Sequence, residues 1–537
     1  MQDAEQLIHP TDPDYLEYLR DESRLSGEAD SISFPTEEQQ VRKIMMLLAE
    51  RQTPVTVQSG RTGISGGAVP GSGHIMNLSR MNRYLGLRHD APSGRFLLRL
   101  QPGVLLSQLN EAVAKKEFGC EGWDAESLKA FETFRDSGSY FFPPDPTETS
   151  AAIGGMSASN ASGARSFSYG PTRRYIEALR LVLSDGSALQ LRRGTQRASG
   201  LEFRLETEQG QVLAGTLPSY TMPATKNTAG LYIHPDMELI DLAIGSEGTL
   251  GIMTEIVVIL IAVPPAISAV MGFFSELTGA IEFVRRVRGD GNDPRDFRKP
   301  AAIEFFDGNS LQLLREQKQT NPAFSEIPEV PPGTAAAVYV EYHGTSREAV
   351  EESTFGLAEI LTDCGGDEEA TWLAEGSKEL ERLKDFRHAL PEAINLLIDQ
   401  RRKNHPDLIK LGTDMAVPDD ALERIIEVYL RDLRGSNLQY VLFGHIGNNH
   451  IHVNILPRSP EEYQRGRQLY RSWAEQVVAM GGSVSAEHGI GKLKTELLQR
   501  MYGEKGVEQM RRVIAIFNPD GRLNTGNIVG IQSEFPG

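Results

Sequence analysis

Cysteine, positive charge and long apolar runs are scarce in this sequence, and each scarcity excludes a class of protein. Cys120 and Cys364 are the only two cysteines among 537 residues. They are too few for a disulfide framework or for the four thiolates of an ordinary iron–sulfur cluster. Asp and Glu (73) outnumber Lys and Arg (55), which gives a net charge of −18. With no long Lys/Arg cluster, this charge disfavours nucleic acid as a partner.

The sequence also lacks a segment that would cross or be exported through a membrane. Its most apolar run extends from Ile256 to Val263 and ends at two prolines, whereas a membrane-spanning helix needs about 20 apolar residues. The first residues, MQDAEQLIHPTDPDYL, have no apolar signal-peptide core. We therefore expect a cytoplasmic protein, with a peripheral association with the inner membrane left open.

The remaining composition is that of a globular protein, with 40% apolar and 24% charged residues. The length predicts about two to four folding units. Periodicity predicts a helix over 36–50 and a hairpin over 176–191. Residues 118–142 read as an irregular insertion, and residues 192–235 give no clear pattern. The residue pattern of the sequence changes after Val263, where we place a domain boundary.

Two glycine-rich or small-residue segments are candidates for ligand binding. The stretch SGRTGISGGAVPGSG (59–73) follows a predicted strand, and the N–H groups of such a loop can hold an anion such as pyrophosphate. It is neither the GxGxxG fingerprint nor a Walker loop, and tight turns between strands remain the alternative. Small residues also dominate 143–174, which favours a backbone folded closely around a flat ligand over a flexible linker.

A histidine cluster is the candidate for metal or acid–base chemistry. GHIGNNHIHVN (444–454) contains His445, His450 and His452. If HIHVN is a strand, the last two of these and Asn454 share one face. Glu487 and His488 lie in a second glycine-bounded turn, SAEHGIG. Two imidazoles and a carboxylate suit Zn or Mn, and a further histidine beside them can act as a base.

Two basic residues are candidates for binding a substrate carboxylate. Arg387 lies in a charged helical segment, where a solvated face is the alternative interpretation. Lys410 lies in an apolar, strand-like stretch, IKLGTDMAVP, where an isolated lysine requires an anionic partner. An arginine fork and a lysine together can clamp a carboxylate.

Taken together, these segments resemble the FAD-dependent oxidoreductases of the vanillyl-alcohol oxidase/p-cresol methylhydroxylase (PCMH) superfamily. The group they resemble most is the D-lactate, glycolate and D-2-hydroxyglutarate dehydrogenases. SGRTGISGGAVP looks like the pyrophosphate loop of that family, and PPDPTETSAAIGG and SNASGARSFSYGPTR look like its flavin-cradling loops. GSEGTLGIMTE resembles its adenine-side loop and FNPDGRLNTGNI its terminal signature. The motifs come in family order from about residue 34 to about residue 530.

The resemblance implies an α+β protein in three parts. Residues 1–263 would form a PCMH-type FAD-binding domain of two α/β subdomains. Residues 264–510 would form a ferredoxin-like α+β cap, or substrate, domain that holds the metal site. Residues 511–537 would return to the FAD domain.

The resemblance also implies roles for particular residues. Positions that match contacts to FAD are Ser59, Gly60, Arg61, Thr62, Gly63, Ile64, Asp145, Gly154, Gly155, Ser159, Gly163, Glu247, Gly251, Ile252 and Asn524. The flavin would be non-covalent, because the pyrophosphate loop has no histidine. Ligands of a divalent Zn, Mn or Fe ion would be His445, His452 and Glu487. Catalytic positions are His488 as the base, Arg387 and Lys410 on the substrate carboxylate, and Asn454 as a polar contact.

The sequence departs from the family pattern at two of these places. Asn448, Asn449 and His450 stand where the family usually has Asp, Gly and Asn, so support for the first ligand changes and His450 becomes a competing ligand. Pro391 stands where a polar substrate contact is common, and the spacing between the two basic residues is longer than usual.

The implied activity is oxidation of a D-2-hydroxy acid, such as D-lactate, to the 2-oxo acid by hydride transfer to flavin N5. Electrons would pass to a quinone, an electron-transfer flavoprotein or a separate iron–sulfur subunit, and a homodimer is possible. One alternative is a transferase of the alkyl-glycerone-phosphate synthase type, which has a run of histidines where this chain has Ala486-Glu487-His488. The other is a non-catalytic flavoprotein subunit of an oxidoreductase complex, which should lack the cap motif that this chain keeps.

Overall fold

The amino-terminal part of the chain begins with a four-stranded sheet of order β1-β2-β4-β3, in which β4 pairs in parallel with both of its neighbours. The structure, a computed structural model, describes residues 2–289 and 299–530. The elements of this part are α1 (Gln2–Glu5), β1 (Ile8–Pro10), β2 (Ser31–Ser33), α2 (Glu38–Glu50), β3 (Val55–Gln58) and β4 (His74–Asn77). The helix predicted over 36–50 is confirmed as α2, whose buried face carries Val41, Ile44 and Leu48 at helical spacing.

A second, six-stranded antiparallel sheet has the order β5-β6-β12-β8-β9, with β7 paired to β12. Its strands are β5 (Tyr84–Asp90), β6 (Arg95–Leu100), β7 (Tyr140–Phe141), β8 (Ile176–Val182), β9 (Ala188–Arg192) and β12 (Ile252–Ala262). The predicted hairpin is confirmed as β8–β9, and Gly186 takes the positive φ of 83° that its turn requires. The most apolar run of the sequence is β12, which lies in the interior of this sheet.

The segments between these strands carry short helices and a separate hairpin. They are α3 (Leu106–Lys115), α4 (Ala125–Asp136), α5 (Ile153–Ser159), α6 (Ser166–Tyr169), β10 (Glu202–Glu206), β11 (Val212–Thr216) and α7 (Ile240–Ala243). The prediction of an irregular segment over 118–142 is wrong, because α4 and β7 together occupy more than half of it. Asp124 caps this helix by accepting a hydrogen bond from the backbone N–H of Ser127, and Phe134 is fully buried.

A seven-stranded antiparallel sheet follows residue 263, in the order β16-β13-β15-β14-β18-β19-β17. Its strands are β13 (Ala266–Phe274), β14 (Ala302–Asp307), β15 (Ala336–Gly344), β16 (Trp372–Ala374), β17 (Leu411–Gly412), β18 (Tyr440–Gly444) and β19 (His452–Ile455). Its helices are α8 (Leu277–Arg288), α9 (Gly308–Thr320), α10 (Arg347–Asp363), α11 (Ser377–Arg402), α12 (Leu422–Ser436) and α13 (Pro460–Ala479). The predicted α+β class is confirmed. The predicted domain boundary falls between β12 and β13 and stays a prediction.

The chain then returns to the first sheet. Helix α14 (Thr495–Phe517) leads to a segment in which Leu523 forms a parallel bridge with Val55 of β3. The side chain of Asn524 accepts a hydrogen bond from the backbone N–H of Val57 at 2.7 Å. Residues 531–537 of the predicted C-terminal segment lie outside the described residues. Within the described ranges, no helix is both long and apolar enough to span a bilayer.

Candidate active site

A cavity of about 330 Å³ lies beside the glycine-rich loop that follows β3. Twelve of the predicted FAD positions line it: Ser59, Gly60, Arg61, Thr62, Gly63, Ile64, Gly154, Gly155, Ser159, Glu247, Gly251 and Asn524. His445, Glu487 and His488 also line it. Segments that are far apart in the sequence therefore form one site, as the resemblance implies for a flavin cleft.

The glycine-rich loop fits the pyrophosphate of a dinucleotide. In the part of the chain that the structure describes, no backbone N–H of residues 60–64 donates a hydrogen bond to another residue. These donors line the cavity, and unsatisfied N–H groups in a glycine loop form an anion site. A Cβ built on Gly63 or Gly155 would meet no atom within 4 Å, so the backbone leaves room for a bulky ligand there.

Three predicted FAD positions do not line this cavity. Ile252 is fully buried at the start of β12. A Cβ on Gly163 would lie 2.0 Å from the carbonyl oxygen of Asp145, and the Asp145 carboxylate accepts hydrogen bonds from the backbone N–H of Arg165 at 3.2 Å. In this structure Gly163 and Asp145 shape the loop that borders the cavity, and Gly163 is needed for that close approach.

Two histidines point their Nε2 atoms at one carboxylate. Nε2 of His445 lies 3.3 Å from Oε2 of Glu487, and Nε2 of His452 lies 3.3 Å from Oε1 of the same residue. The opposite nitrogens are both held: Nδ1 of His445 lies 2.7 Å from Oε1 of Glu304, and Nδ1 of His452 lies 2.9 Å from the carbonyl oxygen of Thr413. Oxygen acceptors on Nδ1 fix the tautomer that leaves Nε2 free to bind a metal.

His450 completes a group of four donors whose ligand atoms lie within 4.8 Å of one another. The group is His445, His450, His452 and Glu487. Strand β19 begins at His452, so the predicted sharing of a strand face holds for His452 and Asn454, and His450 lies before the strand in a bridge with Ala416. This donor set and its oxygen-held imidazoles fit a divalent metal.

Asp414 organises the turn that carries Glu487 and His488. Its carboxylate accepts hydrogen bonds from the backbone N–H groups of both residues at 3.1 and 3.0 Å, and from the ammonium of Lys494 at 2.6 Å. Nδ1 of His488 lies 3.4 Å from Oδ1 of Asp414, and its Nε2 lies 3.3 Å from Oε1 of Glu487. The imidazole is therefore held between two carboxylates at the cavity wall.

The carboxylates control the protonation of the imidazoles. Burial lowers the pKa of His488, but Asp414 and Glu487 outweigh burial and raise this pKa to about 9. Burial likewise lowers the pKa of His445, and Glu304 and Glu487 raise it to about 9. The cluster thus attracts positive charge, which protons or a metal ion can supply.

The structure does not bring the two predicted carboxylate-binding residues together. The side chain of Arg387 is 13% exposed, and its guanidinium lies 4.8 Å above the ring of Tyr339 and 4.0 Å from Oε2 of Glu304. Nζ of Lys410 instead donates to Asn395 at 2.9 Å. Asn395 lies eight residues after Arg387 on α11, about 12 Å along the helix. Lys410 precedes the edge strand β17 and reaches the second half of α11, and the predicted carboxylate clamp stays a prediction.

Asn454 also lies outside the cavity lining. It is buried on β19 and pairs across the ladder with Gly412 of β17. It shares a strand face with His452, so its side chain stands beside the cluster.

Four charged residues of the site were missed by the sequence reasoning. Glu304 bridges His445 and Arg387, and Asp414 and Lys494 hold the 485–488 turn. Glu304 lies in an apolar strand-like stretch, AAIEFF, and Asp414 lies in the same stretch as Lys410, IKLGTDMAVP. A charge in such a stretch is the signal that singled out Lys410. Lys226 lies in the unassigned stretch 192–235, and its Nζ is 2.8 Å from Oε2 of Glu487. No local signal pointed to it.

Two family models match successive parts of the chain. A family model described as an FAD binding domain matches residues 29–121 and 125–192, and one described as the C-terminal domain of FAD linked oxidases matches residues 263–528. The D-lactate dehydrogenase of Anaerostipes hadrus is 26% identical over 528 residues, which is 95% of this chain and 92% of that protein. The glycolate oxidase subunit GlcD of Bacillus subtilis (strain 168) is 23% identical, with 93% and 88% covered.

A solved structure of alkyldihydroxyacetonephosphate synthase shares the fold at 14% identity, with a TM-score of 0.58 over 97% of this chain and 83% of that one. The two halves, the cavity and the matching families define a flavin-dependent class of enzyme. The chain belongs to the FAD-linked oxidases, and the resemblance to the PCMH superfamily is confirmed. It is accordingly an FAD-linked oxidoreductase.

Proposed function

We propose that this protein is an FAD-dependent dehydrogenase that oxidises a D-2-hydroxy acid of the D-lactate type to the 2-oxo acid. The observation that carries the proposal is that Glu487 and His488 line the same cavity as the glycine-rich loop. A metal-ligating carboxylate and a base therefore stand at the wall of the flavin cleft. The relatives named D-lactate dehydrogenase, at 26% identity, support the substrate class.

Each group of the cluster has a part in this chemistry. When bound, the flavin accepts the hydride, and a divalent metal held by His445, His452 and Glu487 lowers the pKa of the substrate hydroxyl. His488 takes the hydroxyl proton. Its imidazole is a neutral base only when a cation offsets Glu487, because the two carboxylates otherwise favour its protonated form. Asp414 orients the ring through Nδ1.

Arg387 is the proposed partner of the substrate carboxylate. Its Nε atom is buried and has no hydrogen-bond partner among the described residues. Glu304 links it to His445, so a carboxylate bound there is held at a fixed offset from the histidine cluster. Orientation of this kind is a large part of what a protein supplies to hydride transfer. Asn454, beside His452, is the proposed polar contact, and Lys410 is not part of the clamp.

The electrons must then leave the chain to an external acceptor. Two cysteines cannot hold an iron–sulfur cluster, so the proposed acceptors are a quinone, an electron-transfer flavoprotein or a separate iron–sulfur subunit. The non-covalent attachment of FAD belongs to the same proposal, because the loop of residues 59–73 has no histidine.

The test is anaerobic addition of D-lactate, and then of D-2-hydroxyglutarate, to the purified flavoprotein while the oxidised-flavin absorption is followed. We expect bleaching by a D-2-hydroxy acid and none by its L enantiomer at equal concentration. A flavin band that neither acid bleaches would overturn the substrate class and leave the family assignment standing. The alkyldihydroxyacetonephosphate synthase structure does not support the transferase alternative, because a likeness at 14% identity shows only that the fold is shared.

A further inference from the structure

His450 is a buried imidazole without a proper partner. Its side chain is fully buried, and neither ring nitrogen forms a well-aligned hydrogen bond with any residue that the structure describes. A buried polar group that is left unsatisfied destabilises the folded protein. Such a group in a native protein calls for an explanation, and an ion is one of the few available.

The ring of His450 points one nitrogen toward Glu487, as the rings of His445 and His452 do. Nε2 lies 3.2 Å from Oδ1 of Asp414, and Nδ1 lies on the other side, 3.9 Å from Oε2 of Glu487. In His445 and His452 as well, one nitrogen faces an oxygen acceptor and the other faces Glu487. The three imidazoles thus aim one nitrogen each at the same carboxylate. If all three facing nitrogens are unprotonated, their lone pairs and the carboxylate repel one another, so the arrangement requires protons or a cation between them.

We propose that His450 is a third imidazole ligand, so that this chain binds its divalent metal through four side chains. The ligands are Nε2 of His445 and of His452, Nδ1 of His450, and the carboxylate of Glu487. This rests on the metal site of the proposed function and adds a ligand to it. The fourth donor stands where the resemblance leads one to expect Asn.

Asp414 is a support and not a further ligand. Oδ2 already accepts from the hydroxyl of Ser485 at 2.7 Å and from Lys494 at 2.6 Å, and Oδ1 faces His450. A carboxylate behind a ligating imidazole raises its basicity and fixes its tautomer. Oδ1 of Asp414, 3.2 Å from Nε2 of His450, therefore lies where ligating histidines characteristically have an outer partner, although the hydrogen bond is not well aligned.

A fourth protein ligand changes which metal ion can support the proposed reaction. Zinc sites with four protein donors are closed tetrahedra, whereas catalytic zinc keeps an open position. A six-coordinate ion such as Mn²⁺ or Fe²⁺ has two positions left for the hydroxyl and carboxylate oxygens of a 2-hydroxy acid. The site should therefore bind zinc tightly and be inhibited by it, and it should be active with a six-coordinate metal.

Lys226 offers the alternative account of the same geometry. Its ammonium donates to Oε2 of Glu487, so it supplies one positive charge to the cluster without any metal. If that charge were sufficient, the stripped flavoprotein would bind no divalent metal at the cluster.

The experiment uses the FAD-loaded protein, stripped of metal and titrated with Co²⁺ by equilibrium dialysis, with X-ray absorption to count coordinated imidazoles. We expect one Co²⁺ per chain with three imidazoles. In His450→Asn, we expect two imidazoles and an affinity at least tenfold weaker, with unchanged flavin content. His405→Asn, outside the cluster, is the matched control and should match the wild type.

The outcomes separate the two proposals. Two imidazoles in the wild type overturn ligation by His450 without reference to any variant. Unchanged affinity in His450→Asn, together with loss in His445→Asn, overturns ligation by His450 and leaves the metal of the proposed function intact. A wild type that binds no Co²⁺ overturns both, and the charge of Glu487 is then offset by Lys226 and the protonated imidazoles.

Discussion

The ammonium of Lys226 lies 2.8 Å from Oε2 of Glu487, and both side chains are less than one-tenth exposed. The pair joins the unpatterned stretch 192–235 to the 485–488 turn. Because a buried carboxylate without a cation is strongly disfavoured, Lys226 keeps Glu487 ionised before any metal arrives.

Replacing this lysine should destabilise the metal-free protein and spare the metal-loaded one. We expect Lys226→Met to lose about 3 kcal/mol of stability after metal removal, because a buried ion pair loses one of its partners. Added Mn²⁺ should restore most of this loss. Thermal unfolding of stripped and Mn²⁺-loaded samples measures it. Lys226→Arg keeps the charge and is the control, and an unchanged melting temperature for stripped Lys226→Met would contradict the expectation.

Removing the proposed base should stop flavin reduction without loss of flavin. A positioned proton acceptor contributes about 10²–10⁴-fold to a rate, so His488→Ala should slow anaerobic flavin reduction by at least about 10²-fold. Stopped-flow absorbance measures the rate, and the flavin-to-protein ratio is the control for folding. Undiminished reduction in this variant would remove His488 from the role of base.

Arg387 and Lys410 should differ sharply in their effect on substrate binding. Arg387→Met should weaken substrate binding at least about tenfold, because a charge-assisted hydrogen bond is worth about 1.5–3 kcal/mol. Lys410→Met should leave binding unchanged, since its ammonium contacts Asn395 some way along α11. The substrate dependence of the flavin reduction rate gives both constants. Equal losses in the two variants would show that both residues hold the carboxylate.

Acid should destabilise the protein partly through His74. This side chain is fully buried between the hydroxyls of Ser31 and Ser33, at 2.9 and 2.8 Å, and burial lowers its pKa from 6.5 to about 3. Below pH 6.5 the unfolded chain binds this proton and the native protein does not. Stability therefore falls as the pH drops, by about 2 kcal/mol at pH 5.

The measurement for His74 is the free energy of urea unfolding at pH 7 and pH 5. His74→Gln cannot take up the proton, so its loss between the two pH values should be smaller than that of the wild type by about 2 kcal/mol. Comparing the two differences cancels any overall effect of the substitution on packing. Equal pH dependence in both proteins would show that His74 is protonated in the native state.

The sequence pattern predicted an element correctly where the residues of that element alone determine its secondary structure. The helix α2 follows from the spacing of Val41, Ile44 and Leu48, and the β8–β9 hairpin from Asp185-Gly186 between two apolar runs. Helix α4 was missed because its polar flanks hid an amphipathic pattern that ends in Phe134. The loops of the flavin cleft were recognised because they are rich in small residues, which let the backbone come close to a ligand. Such an enrichment is visible in the sequence itself.

The charged partners of the site were harder to predict because each is assigned by tertiary contact. Glu304 lies among the apolar residues of β14 and Asp414 lies in the same apolar stretch as Lys410, but this signal was applied only to Lys410. Nothing near Lys226 distinguishes it from a surface lysine. Whether Arg387 meets Lys410 depends on the position of an edge strand relative to α11, which no spacing in the sequence determines.

The pairing of Leu523 with Val55 has a consequence for how the enzyme matures. Asn524 bonds to Val57, 467 positions earlier, and also to the carbonyl of Glu247 at 2.7 Å. All residues from 58 to 523 are therefore synthesised before Asn524 can form these contacts at the cleft, although the glycine-rich loop is made early. Contacts of such separation form slowly. FAD capture is accordingly a late step of assembly, and a chain released without Asn524 would leave an open, cofactor-poor cleft.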